Sequence, residues 1–236
     1  MVETRQRFHE ELATLEDGVQ EMGADARRML RMALRGLAEG DPAVCDEVVR
    51  GDDAVDRRYL DIEQRILSLF ALQTPVASDL RLLTALLHIN LHLERIADQA
   101  VNLAKITYLA ADLPQNPEVL DRLQRMGELA VGMVGTAMEA LARRDLELAH
   151  RLSELDDPID ELNRGMLEHV MERADDRRVL EWGIRMYVAS RQIERVGDNA
   201  VDIGEQVAFV VSGQFQEFGD ASHPEVEHPG LLAAES

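Results

Sequence analysis

The sequence predicts an all-α fold, two tandem three-helix bundles, and three observations carry that expectation. Aromatics make up only 4% of the chain while Ala, Leu, Glu, Asp and Arg dominate, which favours helix over strand. Long runs with helical apolar spacing alternate with prolines, and no stretch of alternating β-branched residues competes with them. The chain also repeats itself, so the two halves are expected to share one architecture. The expected units are residues 1–112, residues 113–213 and a mobile acidic tail at 214–236.

Taken in order, the helices are expected at about 3–39, 42–72, 76–111, 117–143, 145–173 and 176–212. Pro42, Pro75, Pro114 and Pro117 fall between the periodic runs, where a missing N–H does least harm. Pro158 instead lies where the fifth helix should run, and is expected to kink it or to open a restarted helix capped by Asp157. Gly213 ends the last helix, and SGQFQEFGDASHPEVEHPG after it reads as a tail. Trp182, Met126, Met133 and Met138 sit at helical spacing and are expected in the core. His88 and His92 are four residues apart, on the face away from Glu94. Val188 and Gln192 stand at their places in the second half, so both are expected to be surface histidines.

Charge narrows the function classes. A formal net charge of −20 disfavours nucleic acid, whose binding needs clustered Lys and Arg, and disfavours anionic lipid. The single Cys45 excludes an internal disulfide and a thiolate metal site. Met1 to Glu11 lacks a signal-peptide core. Leu80 to Leu93 is the most apolar stretch and is broken by Arg81, His88, Asn90 and His92, so direct membrane insertion is not expected. The expected location is the cytoplasm, with the inner membrane reached only through protein partners.

The repeat contains the candidate chemistry. ERIADQAVN (94–102) recurs as ERVGDNAVD (194–202), with five of nine positions identical, and DDAVD (52–56) recurs as DDPID (156–160). On a helical wheel Glu94 and Asp98 share an arc with Leu83, Leu87, Leu91 and Val101, as Glu194 and Asp198 do with Leu180, Tyr187 and Val201. Carboxylates at the edge of an apolar stripe are partly desolvated and need partners. Gathering Asp52 and Asp56 with Glu94 and Asp98, and Asp156 and Asp160 with Glu194 and Asp198, sets like charges together. A cation, arginine partners or shared protons must offset the repulsion. The small residues Ala97, Ala100 and Ala104, matched by Gly197, Ala200 and Gly204, permit close helix approach. An oxygen-only donor set suits a hard cation such as iron(III), manganese or magnesium. With 45 acids in 236 residues, a single E-x-x-x-D means little, and such acids are often solvated or paired with arginines such as Arg95, Arg191 and Arg195.

These elements resemble the PhoU family of phosphate-uptake regulators. Its hallmark phrase, L-E-R-I-G-D-x-x-x-N-I-A-E, occurs twice per chain, and here reads LERIADQAVNLAK (93–105) and IERVGDNAVDIGE (193–205). QTPVASDLR (73–81) is similar to the family's P-x-A-x-D-L-R turn. The resemblance implies a pair of three-helix bundles, usually dimeric, acting without enzymatic activity as a negative regulator of the phosphate response. The partners it implies are the ATPase of the phosphate ABC transporter and a sensor histidine kinase. It also implies metal at the eight acids named above, with Asn102 and Asp202 as weaker ligands. Iron leads the candidates, with manganese, magnesium, zinc or no metal as alternatives. Ala97, Lys105 and Asp202 depart from the family phrase. Lys105 against Glu205 and Asn102 against Asp202 make the second site three formal charges more negative, so it is expected to bind a cation more tightly. The alternative function is a carboxylate-bridged metal oxidase, but such enzymes use Glu-x-x-His pairs, and Ala97 and Gly197 stand where that histidine would be.

Overall fold

Helix propensity and proline punctuation translate directly into helices in the computed structural model, which describes residues 2–72, 75, 77–174 and 176–219. They are α1 (Val2–Glu39), α2 (Pro42–Leu72), α3 (Ala77–Ala110), α4 (Pro117–Arg143), α5 (Leu146–Arg164), α6 (Met166–Glu172) and α7 (Arg177–Ser212). No strand occurs among the described residues. Residues 73, 74 and 76 of the QTPVASDLR phrase, and residues 220–236 of the expected tail, lie outside the described residues.

Side chains fix most boundaries of the second half. Asn116 accepts from the N–H groups of Glu118 and Val119, and Pro117 opens α4. Asp145 caps α5 and Asp176 caps α7 in the same way, satisfying donors that a helix start leaves open. Gly213 closes α7 at φ 75°, a left-handed turn that glycine adopts without penalty.

One expectation fails at the fifth helix. The helix runs through Pro158 without interruption and breaks at Gly165 instead. Glu154 and Pro158 both lie on the exposed face, so water can take the hydrogen bond that proline cannot donate. The break has a tertiary cause. Arg122 of α4 donates to the Leu162 carbonyl from Nε at 3.0 Å and Nη2 at 2.7 Å, satisfying an acceptor at the end of α5. A Cβ at residue 165 would stand 2.7 Å from the Arg122 Nη2, so a larger residue there would push the guanidinium from this position.

Within the first bundle α1, α2 and α3 pack on one another, and within the second α4, α5 and α7 do, with α6 lying on α7. The bundles join through α3 against α7 and α1 against α4. Buried apolar side chains from both halves form one continuous core. Trp182, Met126, Met133 and Met138 are all inside it, as expected, and Cys45 is buried.

The α3–α7 seam corrects the reading of His92. His88 is exposed, but the His92 side chain is only 12% exposed. Its Nδ1 lies 2.9 Å from Asn199 Oδ1 and 3.3 Å from Asp202 Oδ2. The related pair lies on the other side of the seam, where Asn102 Nδ2 donates to Gln192 Oε1 at 3.3 Å. Residues rising along α3 meet residues falling along α7, so the two helices are antiparallel. Each half offers the same two positions to the other.

Candidate metal centre

Each half positions its acids by the same device, a middle helix facing the long third helix. Asp52 and Asp56 lie on α2 opposite Glu94 and Asp98 on α3, and Asp156 and Asp160 lie on α5 opposite Glu194 and Asp198 on α7. Further along each pair, Asn90 donates to the Tyr59 carbonyl at 3.0 Å. At the matching place Ser190 donates to Asn163 Oδ1 at 2.9 Å. These buried links hold the acid-bearing helices in register.

The second half brings its acids together. One carboxylate oxygen each from Asp156, Asp160 and Asp198 lie within 4.8 Å of one another. Asp156 and Asp160 are 7% exposed and Asp198 is open to solvent. Convergence depends on Gly197, where a Cβ would collide with the Asp156 Oδ1. Glu194 stands beside this trio but is held elsewhere. It accepts from Arg191 Nη1 at 2.6 Å and from Asn163 Nδ2 at 3.3 Å. Burial pushes its carboxyl above the usual range, against the pull of Arg191 and with the repulsion of Asp160.

Asp156, Glu194 and Asp198 open into a cleft of about 340 Å³, whose walls also include Ser153, Arg195, Asp202, Glu205 and Phe218. Asp202 meets His92 at its rim, and Glu205 accepts the Phe218 N–H at 2.7 Å. Sequence reasoning missed Asn163 and Phe218. Asn163 sits one turn beyond Asp160 on the same face of α5, and that spacing was its only available signal.

The first half is looser. Among the described residues, no equivalent set of three donors converges there. Asp52 and Glu94 are half-buried, and Asp56 and Asp98 are exposed. Burial is the main cause raising the carboxyls of Asp52, Glu94 and Asp98. Asp56 repels all three, and Asp98 also repels Asp52 and Glu94. Lys105 opposes the shift at Asp52 and Asp98, so it supplies a positive charge where the second half has Glu205. Asn102 points into the seam towards Gln192.

The raised carboxyls have a consequence for stability. Their folded forms hold protons more tightly than the unfolded chain does. Stability therefore rises as pH falls from neutrality through the raised values towards the ordinary 3.8 of Asp and 4.5 of Glu. With metal removed by chelator, the melting temperature is expected to be higher near pH 5.5 than near pH 7.5, and manganese(II) should narrow the difference. A melting temperature that is lower near pH 5.5 than near pH 7.5 would contradict the repulsion.

The donor set in the second cleft is carboxylate oxygen, with two of its three aspartates nearly sealed from solvent. That arrangement suits a hard cation such as magnesium, manganese or iron(III) better than a soft one. No helix among the described residues is long and apolar enough to cross a membrane.

Comparison with known proteins agrees with this architecture. The PhoU domain matches residues 19–107 and 123–207, one match in each half. The phosphate-specific transport system accessory protein PhoU homolog 1 of Mycobacterium tuberculosis is 31% identical over 209 residues, covering 87% of this chain and 93% of its own. Its counterpart in Methanothermobacter thermautotrophicus, also named homolog 1, is 28% identical over 208 residues, covering 87% and 94%. The crystal structure of PhoU from Pseudomonas aeruginosa superposes with a TM-score of 0.82 at 27% identity, covering 88% of this chain and all of that one. The phosphate transport system regulatory protein PhoU from Streptococcus pneumoniae has the same fold, with a TM-score of 0.80 at 22% identity. With the doubled phrase on α3 and α7 and a match in each half, the chain belongs to the PhoU family.

Proposed function

We propose that the chain is a non-enzymatic regulator of phosphate uptake and phosphate-dependent signalling, acting as a negative regulator and holding a cation at its second acidic site. The supporting observation is family membership over nearly the whole helical body, with relatives named as accessory proteins of a phosphate-specific transport system. In this reading it docks, as a dimer in the cytoplasm, on the ATPase of the phosphate transporter and relays its state to a sensor histidine kinase. Asp156, Asp160 and Asp198 would hold the cation, with Asp202 and Glu205 adding negative charge to the cleft. A bound cation supplies positive charge that relieves the carboxylate repulsion and ties α5 to α7.

Protein partners and a cation are separable parts of this proposal. Deleting the gene in a host without a second copy is expected to switch on phosphate-starvation genes while phosphate is plentiful. Restoring the intact gene should silence them. Unchanged transcription of those genes in the deletion strain would refute the regulatory role.

A further inference from the structure

The chain beyond α7 folds back over the second acidic cleft. Gly213 turns the chain, and its N–H donates to the Phe209 carbonyl at 2.9 Å. The Phe215 ring lies edge-on to Phe209 at 6.0 Å. Phe218 then rests on the ring of His150 on α5 at 4.7 Å. Its N–H donates to Glu205 Oε1 at 2.7 Å. Phe218 and Gly219 thereby become walls of the same cleft as Asp156, Glu194 and Asp198. Gly204 makes room for the Leu152 side chain, whose Cδ1 lies 2.6 Å from where a Cβ at 204 would stand, and for the Phe218 ring, whose Cε2 lies 3.3 Å from that point. The corresponding places in the first half are Ala104, which fills that space, and Lys105, whose ammonium cannot accept an N–H.

We propose that residues 214–219 are a strap that closes the second acidic cleft and slows the passage of a cation through it. The inference rests on the reading of that cleft as a cation site. The strap is held by two ring contacts, by the Phe218 N–H on the Glu205 carboxylate and by hydrogen bonds between Ser212 and Gln214, a set strong enough to dock a short segment and weak enough to release it. Glu205 belongs to the strap's anchor and to the cleft wall at once. Opening the strap therefore both widens the cleft and frees a carboxylate towards it.

The test is the rate at which manganese(II) leaves the full-length chain when excess chelator is added, read by stopped flow. The phase belonging to the second cleft is identified as the one missing in Asp198→Asn. In Phe218→Ala that phase is expected to speed up roughly tenfold, the loss expected from a half-buried ring. The stoichiometry should stay unchanged. Phe218→Leu, which keeps the apolar cover, should restore most of the slow release. An Asp198-dependent phase with the same rate in the wild-type chain and in Phe218→Ala would overturn the strap alone. No manganese binding by any of the chains would overturn both the cation site and its gate.

Discussion

A manganese(II) titration of Asp198→Asn is expected to lose the tighter of two binding phases, whereas Asp98→Asn is expected to keep it. Asp198 supplies one of three carboxylate oxygens that lie within 4.8 Å of one another, and the first half has no such set among the described residues. The charge around the two sites points the same way. Asp202 and Glu205 stand on α7 where α3 has Asn102 and Lys105, a difference of three formal charges. At an effective dielectric near 20, one unit charge about 8 Å away contributes on the order of 2 kcal/mol for each unit of charge on the cation, or roughly thirtyfold. Solvent screening reduces that figure, and His92 draws on Asp202 at 3.3 Å, but neither reverses its sign. Isothermal calorimetry on the two variants distinguishes the sites. Loss of the tight phase in Asp98→Asn, with its retention in Asp198→Asn, would show the order to be wrong.

Gly197→Ala is expected to injure the second site and the second bundle together. Asp156 is almost fully buried, and its Oδ1 occupies the space a Cβ at 197 would need. The added methyl must push a carboxylate that α5 holds in place, and overpacking of this kind costs about 1–3 kcal/mol. The first half shows the alternative outcome. Ala97 already carries that methyl on α3, and Asp52 opposite it is half-exposed rather than buried. The substitution should therefore make the second site resemble the first, lowering cation affinity along with thermal stability. A Gly197→Ala chain with unchanged melting temperature and unchanged manganese affinity would show that the close approach is not needed. Ala97→Gly alone should not create a tight first site, because Lys105 remains.

The helices, their order and the repeated acids were legible because they depend on local pattern. Proline placement marked the gaps, and the α3 and α7 phrases announced which acids belong together. What escaped the sequence was decided by contacts between elements. Gly165 rather than Pro158 breaks the fifth helix because Arg122, 40 residues earlier in contact terms, reaches the Leu162 carbonyl. His92 was placed on the surface because its face points away from Glu94. A helical wheel shows that a face is turned from its own bundle, but not that the other bundle covers it. Asn199 and Asp202 of the other half do so. The same limit hid Phe218, since nothing in SGQFQEFG signals a carboxylate 13 residues earlier that accepts its N–H. The inequality of the two sites was legible in Lys105 against Glu205 and Asn102 against Asp202, whereas the close approach of the Asp156 carboxylate to Gly197 is set by packing between α5 and α7.

The most direct test of the cation site is anomalous diffraction from crystals of the intact chain grown with manganese(II). The account predicts a peak bonded to carboxylate oxygens of Asp156, Asp160 and Asp198, at about the 2.1 Å typical of small divalent cations on oxygen. The peak at Asp52, Asp56, Glu94 and Asp98 should be weaker or missing. A fully occupied ion at the first set, with none bonded to the three aspartates of the second, would contradict it.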